Sequence, residues 1–324
     1  MDGPSVVVVG YERAELLDIA SVTSTLDVAN LLGAAPGYRV HLVAPGGRPV
    51  TCQSGLVLQV EGALEHVRGP LDTLVVSGGH GHRRAAADPV LVAHVRRLAR
   101  ESRRVASVCT GTTILAAAGL LSGRRATTHW HFARRLARDY PDVLVDPDPI
   151  FVRDGAVATA AGVTSALDLT LAFVEEDHGP ELARQVAREL VTYLQRPGNQ
   201  AQMSVHVTAP PPQDTVVRDV VAQVTTHLDG DLSAARLAGS AGVSERHLTR
   251  LFLEQLHQTP GRFVRQARLE AAAHLLVSTE LPVSRVAARC GFRSAETLRQ
   301  AFVTRYGTSP SGFRRTQGRR RRTR

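Results

Sequence analysis

The chain has 324 residues, of which 43% are hydrophobic and 21% are charged. This length predicts two compact domains, and this composition excludes a disordered or fibrous chain. All the basic residues counted in the net charge of +9 are arginines, and they are unevenly placed: residues 216–324 hold 19 arginines and 8 acidic residues, whereas residues 1–215 hold 20 and 22. A net charge of about +11 in the C-terminal part predicts that this part binds a nucleic acid.

The three cysteines, Cys52, Cys109 and Cys290, are far apart and odd in number. This pattern argues against a disulfide framework and favours a reducing compartment. The N-terminus has no basic region followed by a long apolar run, and no stretch is apolar over the length of a membrane span. We therefore expect a cytoplasmic protein without a membrane partner.

The N-terminal part alternates short β-branched runs with helical patterns. Strands are predicted over residues 5–9, 40–43, 71–76, 104–108 and 155–160, and helices over residues 14–32, 90–100, 112–121, 162–175 and 180–194. This alternation predicts a doubly wound α/β domain over residues 1–196. The turns Ser77-Gly78-Gly79 and Cys109-Thr110-Gly111 follow two of the strands, so both turns are expected at one edge of the sheet. Residues 197–215, with the triplet Pro210-Pro211-Pro212, are predicted to be an extended linker.

The pattern after the linker is helical and contains one arrangement twice. A helix over residues 234–240, a turn at Gly242 and a helix capped by Ser244 form a helix-turn-helix pattern. A helix ending at Arg289, a turn at Gly291 and a helix capped by Ser294 repeat it. Residues 262–278 are predicted to be a helical spacer between the two. Such a pattern could also be a plain helical hairpin, but its duplication favours an all-α DNA-binding domain over residues 216–316.

In each unit the second helix is expected to enter the major groove of double-stranded DNA, where its exposed polar residues contact bases and phosphates. Arg246, Arg250, Arg299 and Gln300 are the candidates for base contacts. The basic tail over residues 317–324 would contact phosphates without sequence preference, or be a solvated disordered end. The full set of predicted DNA-binding residues is Ser244, Arg246, His247, Arg250, Ser294, Glu296, Thr297, Arg299 and Gln300.

This region resembles the DNA-binding domain of the AraC/XylS family. The matching segments are Ser244-Glu245-Arg246-His247-Leu248, Arg268-Leu269-Glu270-Ala271-Ala272, Val286-Ala287-Ala288-Arg289-Cys290-Gly291-Phe292 and Tyr306-Gly307-Thr308-Ser309-Pro310. The resemblance implies that the two reading helices engage successive major-groove turns on one DNA face, that RNA polymerase is a partner, and that Cys290 is a core residue.

Cys109 lies at a strand-to-helix turn, a place that often holds a nucleophile. The following helix N-terminus is expected to lower the pKa of the thiol, and its backbone N–H groups could bind an oxyanion or a carboxylate. His129 and Trp130 follow a further strand-like segment, and Asp18 lies in the first helix region, so the sequence permits a Cys-His-acid cluster.

The segments Ser107-Val108-Cys109-Thr110-Gly111 and Thr127-Thr128-His129-Trp130 resemble the DJ-1/PfpI and class I glutamine amidotransferase-like superfamily. Joined to an AraC-type half, they resemble the GlxA-type transcriptional regulators over nearly the full length. The resemblance implies a flavodoxin-like fold, a homodimer, and a site with Asp18 as the acid, Cys109 as the nucleophile, His129 as its partner, and Gly78 and Gly79 on the facing loop. After the acid, where that family commonly has Gly-Pro, this chain has Ala20-Ser21-Val22.

Two functions remain open for the N-terminal domain. The first, which we favour, is a sensor without catalysis that binds a small-molecule effector, by resemblance an amine, an amino acid or a related metabolite. The second is an active cysteine-dependent hydrolase, glyoxalase or amidotransferase fused to a DNA-binding module. Cys109 could also be a merely buried small residue. The predicted ligand-binding residues are Asp18, Gly78, Gly79, Cys109, Thr110, His129 and Trp130.

Two histidine pairs, His80 with His82 and His129 with His131, could suggest a metal site. No cysteine or carboxylate spacing completes a ligand set, and no glycine-rich nucleotide fingerprint is present. We therefore expect neither a metal nor a cofactor, and we place His80 and His82 on a polar loop near the mouth of the pocket.

Overall fold

The computed structural model describes residues 3–192, 196, 198, 202 and 214–317. The chain forms two compact units, unit 1 over Met1–Gln202 and unit 2 over Met203–Arg324. The boundary falls inside the predicted linker, whose proline triplet lies outside the described residues, as do residues 318–324 of the predicted basic tail. Within the described ranges no helix combines the length and the apolar character that a membrane crossing requires.

Unit 1 contains a seven-stranded sheet. The strands of this unit are β1 (Ser5–Val9), β2 (Arg39–Ala44), β3 (Val50–Thr51), β4 (Val57–Leu58), β5 (Gly62–Ala63), β6 (Leu71–Val76), β7 (Ser102–Val108), β8 (Arg125–Ala126), β9 (Leu144–Val145), β10 (Phe151–Asp154) and β11 (Val157–Ala160). The sheet order is β10-β11-β7-β6-β1-β2-β5, and every pair is parallel except β10 with β11. This confirms the predicted doubly wound α/β fold. The central strands are almost wholly buried because helices cover the sheet.

The helices of unit 1 include two packed groups. They are α1 (Leu16–Leu31), α2 (His82–Ala86), α3 (Pro89–Arg100), α4 (Gly111–Ala117), α5 (Trp130–Asp139), α6 (Thr164–His178) and α7 (Pro180–Glu189). Helices α1, α6 and α7 pack together, and so do α2, α3 and α4. Because β6 and β7 are neighbouring parallel strands, the turns that follow them meet at one sheet edge, as predicted.

Two predicted helices are shorter than expected. The helix predicted over residues 112–121 ends at Ala117, because Gly119 turns the chain with a left-handed backbone at φ +72°. The helix predicted over residues 180–194 ends at Glu189, and Val191 has a positive φ of +52°. The sequence patterns did not predict α2, α5, β10 or the short strands β3, β4, β5 and β9, whereas β8 falls in the strand-like segment expected before His129.

The described residues of unit 2 form helices joined by short loops, with no strand among them. Its helices are α8 (Thr215–Thr226), α9 (Ala234–Ser240), α10 (Glu245–Leu256), α11 (Pro260–Ser278), α12 (Val283–Arg289), α13 (Ala295–Tyr306) and α14 (Pro310–Gln317). Helix α11 contacts α8 and α10 of the first half and α12, α13 and α14 of the second, so it is the predicted spacer. Cys290 is 1% exposed, which confirms that it is a core residue.

Candidate functional sites

Asp18 is buried beneath the sheet edge where the two predicted turns meet. Its side chain is 1% exposed, and its two carboxylate oxygens accept hydrogen bonds from separate backbone N–H groups. The N–H of Gly78, after β6, donates to Oδ2 at 2.9 Å, and the N–H of Val163, before α6, donates to Oδ1 at 2.9 Å. Asp18 thus joins α1 to the turn after β6 and to the start of α6.

Cys109 occupies the turn between β7 and α4 with a left-handed backbone, φ +54°. Left-handed geometry at a non-glycine residue is uncommon and marks a constrained turn. The carbonyl oxygen of Cys109 accepts hydrogen bonds from the hydroxyls of Thr128 at 2.8 Å and Thr112 at 3.2 Å, while its N–H donates to the Ala160 carbonyl at 2.9 Å. Three neighbouring segments therefore fix this conformation.

Two glycines allow the backbone to pass close to Cys109. A Cβ placed on Gly78 would lie 2.5 Å from the Cβ of Cys109, and one placed on Gly162 would lie 2.9 Å from its Sγ. Gly162 has φ +134° and Val163 follows with φ +46°, a rare conformation for a β-branched residue. The sequence prediction included Gly78 but missed Gly162 and Val163, and the Gly-Val pair after β11 was the only available signal.

The electrostatics of this site contradict the predicted acidic thiol. Burial first, and then the charge of Asp18, raise the pKa of the Cys109 thiol far above its ordinary value, although the backbone of Thr110 opposes the shift. Burial also raises the pKa of Asp18 to about 7, despite the hydrogen bonds from Val163 and Gly78. The expectation that the helix N-terminus would dominate was wrong because the sulfur is desolvated beside a carboxyl group.

The facing loop is tied to the Cys109 turn through Thr110. The hydroxyl of Thr110 accepts a hydrogen bond from the N–H of Gly79 and donates to the carbonyl of Gly79, both at 2.9 Å. The N–H of Gly78 is already bonded to Asp18. The two glycine N–H groups of this loop are thus engaged within the protein.

His129 lies one residue beyond Thr128 but does not pair with Cys109. Among the described residues no hydrogen bond links the two side chains. The ring of His129 instead caps α5, where its Nδ1 accepts from the N–H of His131 at 3.3 Å. In a neutral ring this acceptor role places the proton on Nε2. Burial and His131 lower the pKa of His129, which favours the neutral ring.

Trp130 is 49% exposed and lies in an aromatic cluster. Its ring centroid is 5.6 Å from that of His129 and 5.4 Å from that of His131, and His129 also contacts the ring of Phe132. These contacts place an exposed indole beside the half-buried His129 ring. The structure therefore brings together Asp18, Gly78, Gly79, Cys109 and Thr110 by direct contacts, with His129 and Trp130 on an adjoining turn.

The two histidines of the His80-Gly81-His82 segment face different surroundings. His80 is exposed, but His82 begins α2, is 4% exposed and contacts the hydroxyl of Thr113 at 3.0 Å. The prediction that both lie on a polar loop was wrong for His82. Over the described ranges no group of three or more His, Cys, Asp or Glu side chains could hold a metal ion.

The first helix-turn-helix of unit 2 consists of α9 and α10. Gly242 turns the chain with φ +67°, and the Ser244 hydroxyl caps α10 by accepting from the N–H of His247 at 3.2 Å. Ser244, Arg246, His247 and Arg250 are all exposed. Arg250 is paired within the helix, to Glu254 at 2.9 Å and to His247 at 3.3 Å, so Arg246 is the predicted base-reading arginine of α10 that no such pairing holds in the described structure.

The second helix-turn-helix consists of α12 and α13. Gly291 turns the chain with φ +71°, and Ser294 caps α13 by accepting from the N–H of Thr297 at 3.1 Å. Ser294, Glu296, Thr297, Arg299 and Gln300 are all exposed. Glu296 binds Arg299 through two hydrogen bonds of 2.7 and 2.6 Å, and Gln300 through a third of 3.0 Å. Both predicted base readers of α13 are thus held by one acidic neighbour.

Comparison with known proteins agrees with this two-unit organisation. Residues 5–176 match the model of the DJ-1/PfpI family, and residues 237–316 match that of a helix-turn-helix domain. The chain is 34% identical to the HTH-type transcriptional regulator CdhR of Pseudomonas aeruginosa over 91% of this chain and 87% of that one. It is 32% identical to the HTH-type transcriptional regulator GlxA of Rhizobium meliloti over 94% and 93%. Isonitrile hydratase of Pseudomonas putida is 36% identical over a shorter stretch, 56% of this chain and 75% of that enzyme.

The family matches cover the two units separately, and the two regulators cover both units together. The enzyme similarity covers little more than half of the chain. This chain therefore belongs to the DJ-1/PfpI family and, within it, to the HTH-type transcriptional regulators in which a DJ-1/PfpI domain precedes an AraC-type helix-turn-helix domain.

Proposed function

We propose that unit 1 of this transcriptional regulator senses a small metabolite and that occupancy of the site beside Cys109 changes the binding of DNA by unit 2. The observation that carries the proposal is the pairing, in one chain, of a buried Asp18–Cys109 site with two capped helices whose polar faces are exposed. A metabolite regulates only if it binds one state of the protein better than another.

Three features of the site favour binding over turnover. The thiol of Cys109 has a raised pKa, His129 uses Nδ1 for a backbone contact, and the N–H groups of Gly78 and Gly79 are engaged by Asp18 and Thr110. A cysteine nucleophile needs a thiolate, a base within hydrogen-bond reach and donors for the oxyanion. The thiolate and the base are not ready-made in this arrangement, and the N–H groups of Gly78 and Gly79 are not free to serve as donors.

The alternative is a cysteine-dependent enzyme fused to a DNA-binding module. Similarity to isonitrile hydratase over 56% of this chain is the observation in its favour. Under this alternative Cys109 would be the nucleophile and Asp18 would be the general acid or base. DNA binding would not depend on the reaction.

For the ligand we propose an amine, an amino acid or a related polar metabolite. It would contact the exposed ring of Trp130 and the Nε2–H of His129 at the open side of the site, with Asp18 and Cys109 forming its floor. An indole face attracts cations, and a ring N–H donates to a carboxylate.

We further propose that the regulator is a cytoplasmic homodimer that contacts RNA polymerase. Two exposed leucines on α1 support an interface between two copies of the chain, since Leu17 is 53% exposed and Leu31 is 77% exposed. Dimerisation would double the DNA footprint. Sedimentation at micromolar concentration, with and without DNA, tests this part: only monomer in both conditions would contradict it.

The experiment that tests sensing is a titration of a DNA duplex, recovered by selection on the purified chain, with and without pools of amines and amino acids. We expect one pool to change the DNA affinity of the wild type by about fivefold or more, the usual scale of allosteric coupling. The Gly78→Ala variant, whose new methyl group crowds Cys109 and Asp18, should lose this response, while the matched variant Gly62→Ala, at a glycine with open space around it, should keep it.

A turnover assay on the same pools separates the two functions. Sensing predicts that the active pool is not consumed and that Cys109→Ala still responds to it. Consumption that disappears in Cys109→Ala, together with DNA binding that no pool changes, would reject sensing in favour of the enzyme.

A further inference from the structure

The last described residues of unit 1, which follow α7 on the segment leading toward unit 2, pack against the rest of that unit. Among the described residues they are Arg196, Gly198 and Gln202. The carbonyl of Gly198 accepts from the N–H of Phe151 on the edge strand β10 at 3.1 Å, and a Cβ on Gly198 would lie 2.4 Å from the ring of Phe151. Only a glycine fits flat against that ring at this position.

The side-chain amide of Gln202 bonds to the backbone on both sides of His129. Its Nε2 donates to the carbonyl of Thr128 at 2.8 Å, and its Oε1 accepts from the N–H of Trp130 at 2.9 Å. Nε2 also donates to the carbonyl of Pro147 at 2.9 Å. Both N–H groups and the oxygen of the side-chain amide thus form hydrogen bonds. Two of these bonds fix the peptide units on either side of His129.

The turn that Gln202 holds is directly bonded to Cys109. The hydroxyl of Thr128 donates to the carbonyl of Cys109 at 2.8 Å, while the carbonyl of the same Thr128 accepts from Gln202. A movement of Gln202 therefore changes a hydrogen bond of Thr128, the residue that itself bonds to Cys109.

A second anchor reaches the other side of the site through α6. Arg196 donates its backbone N–H and its guanidinium to the carboxylate of Asp168 at 2.7 to 2.9 Å, and the guanidinium also donates to the hydroxyl of Thr164 at 2.9 Å. The side chain of Asp168 is 2% exposed, so Arg196 compensates a buried charge. Thr164 begins α6 directly after Val163, whose N–H binds Asp18.

We propose that Gln202 is a positioning residue for the site, which sets the geometry of His129 and Trp130 and couples the site to the segment that leads to the DNA-binding unit. This coupling is the route by which the site would regulate DNA binding, so it rests on the proposed function. A metabolite that contacts His129 changes how well the turn accepts Gln202, and by linkage release of Gln202 changes the affinity for that metabolite. DNA binding that displaces the same segment would likewise release Gln202 from the turn around His129.

Hydrogen exchange at the Trp130 amide measures the docking of Gln202 directly, because that N–H donates to the Gln202 side chain. In the full chain we expect Gln202→Ala to accelerate exchange of this amide at least tenfold. Gln202→Met, which keeps the length of the side chain but cannot hydrogen-bond, should behave in the same way. Trp130 is the sole tryptophan of the chain, so its fluorescence reports the same change independently.

The coupling is tested with the selected DNA duplex as the probe. Saturating the wild type with the duplex should change Trp130 amide exchange at least threefold, and Gln202→Ala should abolish that response. Val95→Ala is the matched control, since it opens a cavity in α3 of the same unit and lowers stability without touching the turn. It should keep the response.

Exchange in Gln202→Ala equal to that of the wild type would overturn the docking. A duplex response that is absent from the wild type, retained in Gln202→Ala, or lost equally in Val95→Ala would overturn the coupling. None of these results depends on a metabolite, so they are distinguishable from a failure of sensing, in which no pool changes the DNA affinity of the wild type.

Discussion

Asp18 is the residue whose environment differs most from that of an exposed carboxyl group. Burial raises its pKa from 3.8 to about 7, so the folded protein keeps a proton that the unfolded chain releases. The stability that this proton contributes is fully present below the unfolded pKa and is lost as the pH rises through the folded pKa.

The first prediction follows from this loss of stability with rising pH. Between about pH 5 and pH 7 the free energy of unfolding of the wild type should fall relative to Asp18→Asn, by roughly 2 kcal/mol at about 1.4 kcal/mol per pKa unit. Urea unfolding of both proteins across this range measures it, and the difference between them cancels the other titrating groups. Parallel pH profiles would show that Asp18 is already ionised in the folded protein.

Gly78 gives the second prediction at the residue scale. A Cβ there would lie 2.6 Å from Asp18 Oδ2 and 2.8 Å from the Thr110 nitrogen, so Gly78→Ala must displace backbone as well as side chain. We expect a loss of about 1–3 kcal/mol, the usual cost of overpacking. Thermal unfolding checks it, with Gly62→Ala as the control; equal effects of the two substitutions would mean that the site can open to accept a methyl group.

The reading helices are the elements in which structure refines the sequence prediction most. Sequence alone indicated four equivalent base readers, but Arg250, Arg299 and Gln300 pair within their own helices. Such exposed pairs are weak, so DNA can replace them. Among the described residues Arg246 has no such pair to break.

The third prediction compares Arg246 with Arg265, an arginine outside the two reading helices. Arg246→Ala should weaken binding to the selected duplex by about 1–3 kcal/mol and relax the base preference at one position, as expected for a base contact. Arg265→Ala removes the same charge from α11 and is the control. Binding measured on the duplex and on its single-base variants checks this; uniform weakening on every variant would identify Arg246 as a phosphate contact.

The predictability of an element depended on how local its signals are. Strands β1 and β6 have the predicted bounds, and both reading helices begin at the predicted serine caps, because apolar runs and caps act within a few residues. The two-residue strands β3, β4, β5 and β9 were missed because a run of two residues is too short to give a periodic pattern. For the left-handed Val163 the preceding glycine is the only local signal, because Asp18, far away in sequence, fixes the direction of the Val163 N–H.

The candidate site was predictable as a set of residues but not as an electrostatic environment. Asp18, Gly78, Cys109 and Thr110 do meet, as the turns of neighbouring parallel strands require. The raised pKa of the Cys109 thiol was not predictable, because it depends on burial and on the distance to a carboxyl group, which the order of residues does not give.

At the scale of the whole molecule, charge divides the chain as the fold does. The excess of arginine over acidic residues lies in residues 216–324, which contain α10 and α13. Neutralising phosphates releases counterions, so a protein that binds DNA through these arginines loses affinity steeply as salt rises. We propose that sequence preference comes from the few exposed side chains at the starts of α10 and α13.

The most direct test of the account is selection of genomic DNA fragments by the purified full-length chain, in parallel with the double variant Arg246→Ala/Arg299→Ala. We predict enrichment of a defined sequence by the wild type and loss of that enrichment in the variant, with salt-dependent non-specific binding retained in both. Wild-type binding without any sequence preference, or the same enrichment by the double variant, would contradict the assignment of these helices as the readers of a specific DNA site.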